Sequence, residues 1–189
     1  MRLGILGGSF DPPHVGHLLV AVDAYEVLAL DRLVFIPAAI QPLKAGKAVA
    51  SPAQRLEMVR RLIADDDRFA VDSIEADRAG VSFSVDTVTD YARRHPGAEL
   101  FFLIGADVVG SLESWRHPER ISELATIVVV HRGEERVPNQ GRFELRTLHT
   151  RRIDVSSTEI RDRIRAGKSI QGFVPPAVAE YIASTGLYQ

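Results

Sequence analysis

Short apolar runs alternate along this chain with longer segments in which apolar residues recur every three or four positions. The runs predict buried strands, and the segments between them predict helices. Such alternation is typical of parallel strands joined by crossover helices that cover both faces of a sheet. The predicted strands cover residues 3–6, 33–36, 69–74, 100–104 and 126–130, with a weaker strand near Ile153.

Local end signals locate most of the predicted helices. Ser51 is a good N-cap, Pro52 suits the first helical position, and Gln54 completes a capping box. Ser156 and Glu159 form a second candidate box. The predicted helices are 15–29, with Leu18, Leu19, Val22, Tyr25 and Val27 on the inner side, one that begins at Ser51, and 84–94, 156–166 and 176–185.

Two stretches show neither the strand pattern nor the helix pattern. Residues 38–50 predict a functional or mobile loop, because they contain Pro and Gly and no regular apolar spacing. The polar residues 131–152 predict an exposed, poorly ordered stretch. The pattern as a whole predicts an α/β fold with a doubly wound, mostly parallel sheet. We expect a single domain over 1–189, with 156–189 as a helical C-terminal subregion.

Composition narrows the functional class. The chain has no cysteine, which excludes disulfides, thiolate metal sites and a cysteine nucleophile. Its net charge of −2 provides no basic field, so we expect no nucleic-acid partner. The N-terminus reaches Asp11 too soon for a signal peptide, and no apolar run could span a bilayer. We therefore expect a cytoplasmic protein without a membrane partner, and a homo-oligomer remains open.

A first polar cluster lies between the first strand and the first helix, at 7–17. Its two glycines allow a backbone to approach an anion closely, and the helix start supplies free N–H groups. His14 and His17 share one face of a helical turn, where two imidazoles can donate to one phosphate. The cluster lacks the residues of a P-loop and the G-x-G-x-x-G spacing. Alternatives are a glycine turn with surface histidines, or a zinc site formed by these histidines and Asp11.

A second cluster, Ser156-Ser157-Thr158, begins a predicted helix with three hydroxyls and free N–H groups, and Arg161 follows one turn later. These groups would hold a phosphate from two sides. The alternative is a capped surface helix with an ordinary arginine. Ligands of doubly wound sheets bind beyond the carboxyl ends of the strands, which is where both clusters are expected.

The two clusters carry a family resemblance. Gly7-Gly8-Ser9-Phe10-Asp11-Pro12-Pro13-His14-Val15-Gly16-His17 resembles the first signature of the nucleotidyltransferase superfamily, and Ser156-Ser157-Thr158-Glu159-Ile160-Arg161 is similar to its second. Shorter stretches along the whole chain, among them Ile104-Gly105-Ala106-Asp107 and Ser114-Trp115-Arg116-His117, resemble bacterial-type nicotinate mononucleotide adenylyltransferases. The resemblance implies a Rossmann-like nucleotidyltransferase fold and transfer of the adenylyl group of ATP to nicotinate mononucleotide, in NAD biosynthesis.

The resemblance also implies roles for individual residues. The acceptor phosphate attacks the α-phosphorus of ATP directly, so catalysis is positioning and charge stabilisation, with Mg²⁺ held mainly by the ATP phosphates. The catalytic residues are predicted to be His14, His17, Lys44 and Arg161. The predicted ATP contacts are Gly7, Gly8, Ser9, Phe10, His14, His17, Gly105, Asp107, Ser156, Ser157, Thr158 and Arg161. The predicted contacts of the pyridine nucleotide are Ser9, Lys44, Ser84 and Trp115.

Some roles stay open at this point. Trp115 would stack on a pyridine ring or anchor the core, and Asp107 would bind ribose hydroxyls, cap a helix, or do both. Arg132 would face the triphosphate or solvent. Leu43 stands where relatives often have a histidine before the lysine, so any role of that histidine is lost here. Rival functions are a sister enzyme acting on phosphopantetheine or nicotinamide mononucleotide, a nucleotide sensor without turnover, and a metal hydrolase.

Overall fold

The computed structural model describes residues 1–39, 49–78, 80–132 and 143–189, without the side chain of Arg132. The predictions for Leu43, Lys44 and the side chain of Arg132 lie outside this described part. The same is true of most of the predicted loop at 38–50 and of residues 133–142 in the predicted disordered stretch.

In the described ranges, six parallel strands form one sheet. They are β1 Arg2–Gly8, β2 Arg32–Pro37, β3 Phe69–Val71, β4 Glu99–Gly105, β5 Thr126–Arg132 and β6 Leu145–Thr150. They lie in the order β3-β2-β1-β4-β5-β6. The chain moves outward from β1 through β2 to β3, and then returns to the other side of β1 with β4. The order therefore reverses between β1 and β4, which is the point where doubly wound sheets bind ligands. The predicted fold class is confirmed.

Helices cover both faces of the sheet, and each face has its own apolar core. Successive side chains of a strand point to opposite faces, so Phe35 packs in one core and Ile36 in the other. None of the helices in the described ranges is long and apolar enough to cross a membrane. The helices are α1 Val15–Val27, α2 Pro52–Leu62, α3 Ile74–Arg78, α4 Ser84–Arg94, a 3₁₀ helix Ala106–Ser114, α5 Pro118–Leu124, α6 Ser157–Arg165 and α7 Pro176–Thr185.

The local capping signals are largely confirmed. The Gln54 N–H donates to Ser51 Oγ at 3.3 Å, and the Ser51 N–H donates to Gln54 Oε1 at 2.8 Å, so the predicted box is complete. At α6, the Glu159 N–H donates to Ser156 Oγ at 3.1 Å, which is the first half of the second predicted box. Helices α4 and α7 have the predicted bounds.

The strand predictions are wrong in two places. The weak strand lies at Leu145–Thr150 rather than near Ile153, and it occupies part of the stretch that was predicted to be exposed and poorly ordered. Within the described ranges this edge strand pairs only with β5. It exposes three of its six residues and buries only Leu148 and Thr150, so its pattern resembles that of a loop. The predicted strand 69–74 ends at Val71, because Ile74 begins α3.

The buried face of α1 differs from the prediction in part, because Leu18, Val22 and Tyr25 pack against the core as predicted but are not its most buried residues. Its fully buried apolar residues are Val20, Ala21 and Ala24, whereas Val27 is 59% exposed. The small alanines let the helix lie close to the sheet, so the larger residues Leu18, Leu19, Val22 and Tyr25 are only partly buried. Helix α3, the 3₁₀ helix and α5 were not predicted.

Candidate active site

A cavity of about 1300 Å³ opens at the carboxyl ends of β1 and β4, where the strand order reverses. Most of the predicted site residues line it, although they come from five separate parts of the chain. His14 and Ser156 are absent from its lining, and Lys44 lies outside the described part. The predicted residues that line the cavity are Gly7, Gly8, Ser9, Phe10, His17, Ser84, Gly105, Asp107, Trp115, Ser157, Thr158 and Arg161.

His17 is held in one tautomer by the start of α1. The backbone N–H of His14 donates to His17 Nδ1 at 3.2 Å. A ring nitrogen that accepts a hydrogen bond carries no proton, so the neutral imidazole carries its proton on Nε2. The Phe10 and His17 rings also pack edge-on, with 5.0 Å between their centroids. His17 therefore presents an oriented N–H donor on a side chain that lines the cavity.

His14 lies behind His17 rather than beside it. It is the N-cap residue of α1, and its side chain is only 3% exposed. The two ring centroids are 3.8 Å apart, so the His14 ring packs directly on the ring that lines the cavity. The two histidines share one turn, as the spacing predicted, but their positions relative to the cavity are unequal.

The two glycines at the end of β1 have different surroundings. A Cβ at Gly8 would lie 2.8 Å from the Phe10 ring, so this position requires glycine for close packing. A Cβ at Gly7 would meet nothing within 4 Å, so the backbone there borders open space. Only Gly7 therefore leaves room for a ligand to approach the backbone closely.

The second cluster is bonded to the first loop across the fold. Ser157 Oγ donates to the carbonyl oxygen of Pro12 at 2.8 Å. Arg161 Nη1 donates to the carbonyl oxygen of Asp11 at 2.7 Å, and its Nη2 donates to Thr158 Oγ1 at 3.1 Å. The N-terminus of α6, with its free N–H groups, therefore lies at the same edge of the cavity as the loop after β1.

Trp115 takes part in both the core and the cavity wall. Its indole N–H donates to Ser111 Oγ at 3.2 Å, and its ring meets Phe102 edge-on at 6.4 Å between centroids. The side chain is half-buried and lines the cavity. Ser84 lines the cavity as the first residue of α4, where the backbone N–H groups have no partner within the helix.

Asp107 is exposed at the cavity and is not an N-cap. Gly105 is the N-cap residue of the 3₁₀ helix, and Asp107 is the second residue within that helix. The capping interpretation is therefore wrong. A Cβ at Gly105 would collide with the Asp107 carboxylate, which shows that this carboxylate folds back over the glycine.

Sequence reasoning assigned no role to Arg55, although this residue is only 1% exposed and lines the cavity. Its three guanidinium nitrogens donate to three backbone carbonyl oxygens, and burial lowers the pKa of the group from its ordinary value. A signal was present in the sequence, since Arg55 shares an apolar helix face with Val59 and Leu62, four and seven positions later. Glu75 and Thr87 also line the cavity, bonded to each other at 2.7 Å.

The geometry does not favour a zinc site on His14, His17 and Asp11. Asp11 accepts hydrogen bonds from two backbone N–H groups and one hydroxyl. In the part of the chain that the structure describes, no group of three His, Cys, Asp or Glu side chains is placed to hold a metal ion. The carboxylate of Asp11 therefore organises the loop.

Comparisons with known proteins agree with this arrangement. The cytidylyltransferase-like family model matches residues 5–163. The chain is 50% identical over its whole length to a protein of Gemmatimonas aurantiaca, of which it covers 93%, and 43% identical to a protein of Thermus thermophilus over the full length of both. Each of these relatives carries the name "Probable nicotinate-nucleotide adenylyltransferase".

Solved structures share the fold. The nicotinic acid mononucleotide adenylyltransferase of Plasmodium falciparum complexed with NaAD matches with a TM-score of 0.79 at 18% identity, over 99% of this chain and 97% of that one. The same protein complexed with APC matches with a TM-score of 0.76 at 17% identity, over 99% and 96%. At these identities the likeness establishes the architecture.

Proposed function

This chain belongs to the nicotinate-nucleotide adenylyltransferases within the cytidylyltransferase-like family, and from that premise we propose its reaction. It transfers the adenylyl group of ATP to nicotinate mononucleotide and releases pyrophosphate, a step of NAD biosynthesis. A phosphate oxygen of the acceptor forms a bond to the α-phosphorus of ATP, and the bond from that phosphorus to the pyrophosphate oxygen breaks.

The observation that carries this proposal is the junction of the two polar clusters at one cavity. The loop after β1 and the N-terminus of α6 are held together by Arg161 and Ser157, which bond to the carbonyl groups of Asp11 and Pro12. The open backbone at Gly7, the first N–H groups of α6 and a guanidinium thereby border one space. Such a space suits a chain of phosphates rather than a single anion.

Within this cavity, His17 acts on the α-phosphate. Its Nε2–H donates to a non-bridging oxygen whose negative charge grows as the phosphorus becomes pentacoordinate. His14 supplies the N–H that fixes the His17 tautomer, and its ring supports the His17 ring from behind. The direct contact between His14 and ATP that the sequence suggested stays a prediction, as does the role of Lys44.

The β- and γ-phosphates lie at the N-terminus of α6. Its first N–H groups, together with Thr158 and Arg161, line the cavity there. Ser157 already donates its hydroxyl proton to Pro12, so it serves the phosphates through its backbone N–H. Ser156 contributes as the N-cap residue that keeps this turn in place. Gly105 and Asp107, at the end of β4, bind the ribose of ATP.

The pyridine nucleotide takes the side of the cavity formed by Ser84 and Trp115. Trp115 offers a ring face, and the N-terminus of α4 offers N–H donors for the carboxylate of the acid. Mg²⁺ would be held mainly by the phosphates of ATP and by water, since it is often bound through few protein ligands. Bound there, it would neutralise charge on the triphosphate.

Pyrophosphate release tests the proposal. The purified protein is supplied with ATP and, in separate reactions, with nicotinate mononucleotide, nicotinamide mononucleotide or phosphopantetheine. Release of pyrophosphate with nicotinate mononucleotide, together with formation of the dinucleotide, supports the proposal. Release only with phosphopantetheine would assign a sister activity, and ATP binding without release from any acceptor would favour a sensor. A cytoplasmic location and the single-domain organisation stay predictions from the sequence.

A further inference from the structure

Arg55 joins three separate backbone segments beneath the cavity. Its Nη1 donates to the carbonyl oxygen of Ser9 at 2.7 Å, its Nη2 to that of Ala39 at 3.0 Å, and its Nε to that of Ala50 at 3.2 Å. Ser9 belongs to the loop after β1, whereas Ala39 and Ala50 lie on either side of residues 40–48. One buried side chain thus spans the loop and both flanks of that segment.

Asp11 makes a second connection to the same flank. Its Oδ2 accepts from the Val49 N–H at 2.8 Å, and its Oδ1 accepts from the Ala50 N–H at 3.1 Å. The hydroxyl of Tyr188 donates to the same Oδ1 at 2.7 Å. Tyr188 is only 3% exposed, so its side chain is buried against the carboxylate that organises the loop.

The burial of Arg55 is energetically unfavourable compared with that of an apolar side chain of similar size. Removing a guanidinium from water is costly, and well-packed apolar residues often replace buried charged groups with no loss of stability. Three hydrogen bonds from one rigid, planar group do what no apolar side chain can, because they fix the relative positions of three carbonyl groups. We therefore attribute the presence of a buried arginine here to the positions that it fixes rather than to a gain in stability.

We propose that Arg55 and Tyr188 are positioning residues for adenylyl transfer. Arg55 holds the loop after β1 in register with the flanks of residues 40–48, and Tyr188 holds Asp11 so that it secures one of those flanks. The inference rests on the proposed function, because it concerns the rate of that reaction. Neither residue is assigned a contact with ATP or with the acceptor.

The test uses two conservative substitutions, each with a matched control. Arg55→Lys keeps the positive charge but loses the three-way geometry, and Arg61→Lys makes the same change on the same helix at a residue that pairs with Glu57. Tyr188→Phe removes one hydroxyl, and Tyr181→Phe removes a hydroxyl from a ring that packs against Arg61. If Arg55→Lys fails to fold, Tyr188→Phe still tests the proposal.

We expect kcat to fall roughly tenfold or more in Arg55→Lys, and by about threefold to tenfold in Tyr188→Phe, because small displacements of reacting groups are costly. The KM for ATP should change less than kcat, and both controls should stay within about twofold of the wild-type kcat. If Arg55→Lys and Tyr188→Phe lower the melting temperature but keep the wild-type kcat, their role is structural only and the proposal is overturned.

A second readout does not depend on activity. Hydrogen exchange of the Val49 and Ala50 amides, which donate to Asp11, should become about tenfold faster in Tyr188→Phe and unchanged in Tyr181→Phe. If the wild type turns over none of the acceptors, the proposed function fails while this measurement still decides whether Tyr188 secures the flank. Unchanged exchange in Tyr188→Phe would overturn the positioning role.

Discussion

Arg161 Nη1 lies 2.7 Å from the carbonyl oxygen of Asp11, to which it donates, although the two residues are 150 positions apart in the chain. This bond, with that from Ser157 to Pro12, closes the edge of the cavity where the two polar clusters meet. Arg161 also retains donors beyond those used for Asp11 and Thr158, since a guanidinium carries five N–H groups. It can therefore hold the loop and bind phosphate together.

The dual role of Arg161 predicts a strong effect of a conservative change. Arg161→Lys keeps the charge but cannot bond to the loop and a phosphate in the same planar geometry. We expect kcat/KM for ATP to fall by roughly tenfold to a hundredfold, which corresponds to the loss of one or two charge-assisted hydrogen bonds. Steady-state kinetics with varied ATP measure this. Arg165→Lys, on the exposed part of α6 paired with Asp162, serves as the control, and an equal effect there would contradict the assignment.

His17→Ala should cut turnover by ~10²–10³ while ATP affinity and the fold are largely kept, which is the usual effect of removing one donor that stabilises developing charge. Turnover measured at saturating substrates checks the predicted loss of rate. Calorimetry of ATP binding checks that the affinity is kept. His95→Ala, at the end of α4 and away from the cavity lining, is the control. A His17→Ala variant that keeps more than about half of wild-type turnover would exclude the assigned role.

The acid, nicotinate mononucleotide, should be preferred over its amide. Stacking on Trp115 cannot discriminate between them, since the two rings present the same face. Discrimination requires donors, such as the N–H groups at Ser84, that would meet the amide NH₂ as donor against donor. Two unpaired donors at ~1–3 kcal/mol each give a preference of roughly 10²-fold or more.

Trp115→Ala should therefore weaken the binding of both acceptors. It should leave much of the ratio between the kcat/KM values for the acid and the amide intact. Comparing kcat/KM for the two mononucleotides in the wild type and in this variant measures both effects. An equal or reversed preference in the wild type would refute the choice of acceptor but not the transfer chemistry.

Activity should require Mg²⁺ or Mn²⁺, and either ion should restore it after chelation, because the triphosphate rather than the protein supplies most ligands. Elemental analysis of the purified protein is expected to find no tightly bound zinc. Stoichiometric zinc that is lost together with activity would instead revive the metal-hydrolase interpretation.

Stability should fall at alkaline pH. Burial, and then hydrogen bonds to Asp11 and Asp72, raise the pKa of Tyr188 and of Tyr91 above the ordinary value of 10.0. In the unfolded chain both groups ionise near that value, so their stabilising effect is complete below about pH 10 and is lost as pH rises beyond it. The free energy of unfolding should fall by up to about 1.4 kcal/mol per pH unit for each tyrosine.

Urea unfolding at several pH values between about 9 and 11 measures the slope of the free energy of unfolding against pH. Tyr188→Phe should remove its share of the slope, since phenylalanine does not titrate. An unchanged slope in that variant would show that Tyr188 does not resist ionisation in the folded protein.

Much of the fold follows from local pattern. The runs at 33–36, 100–104 and 126–130 are near-continuously apolar because both faces of a parallel sheet are buried, and this made β2, β4 and β5 predictable. The edge strand β6 was missed because one side of it has no neighbour, so its exposed positions carry polar residues. Burial on α1 was predicted only in part, since close packing on the sheet favours Ala21 and Ala24 over larger residues.

The sequence by itself determined the features that depend on residues a few positions apart. The box between Ser51 and Gln54 is one such feature, and the shared turn of His14 and His17 is another. Only the tertiary structure decided that His17 lines the cavity while His14 lies behind it, because that depends on how α1 meets the sheet.

The same holds for the partners of Arg55 and for the bond between Tyr188 and Asp11, which joins residues 177 positions apart. Their side chains find partners only after the strand order β3-β2-β1-β4-β5-β6 has brought distant segments to one edge of the sheet. Hydrogen bonds act over about 3 Å, whereas the pattern of one sequence reports only which residues are neighbours along the chain.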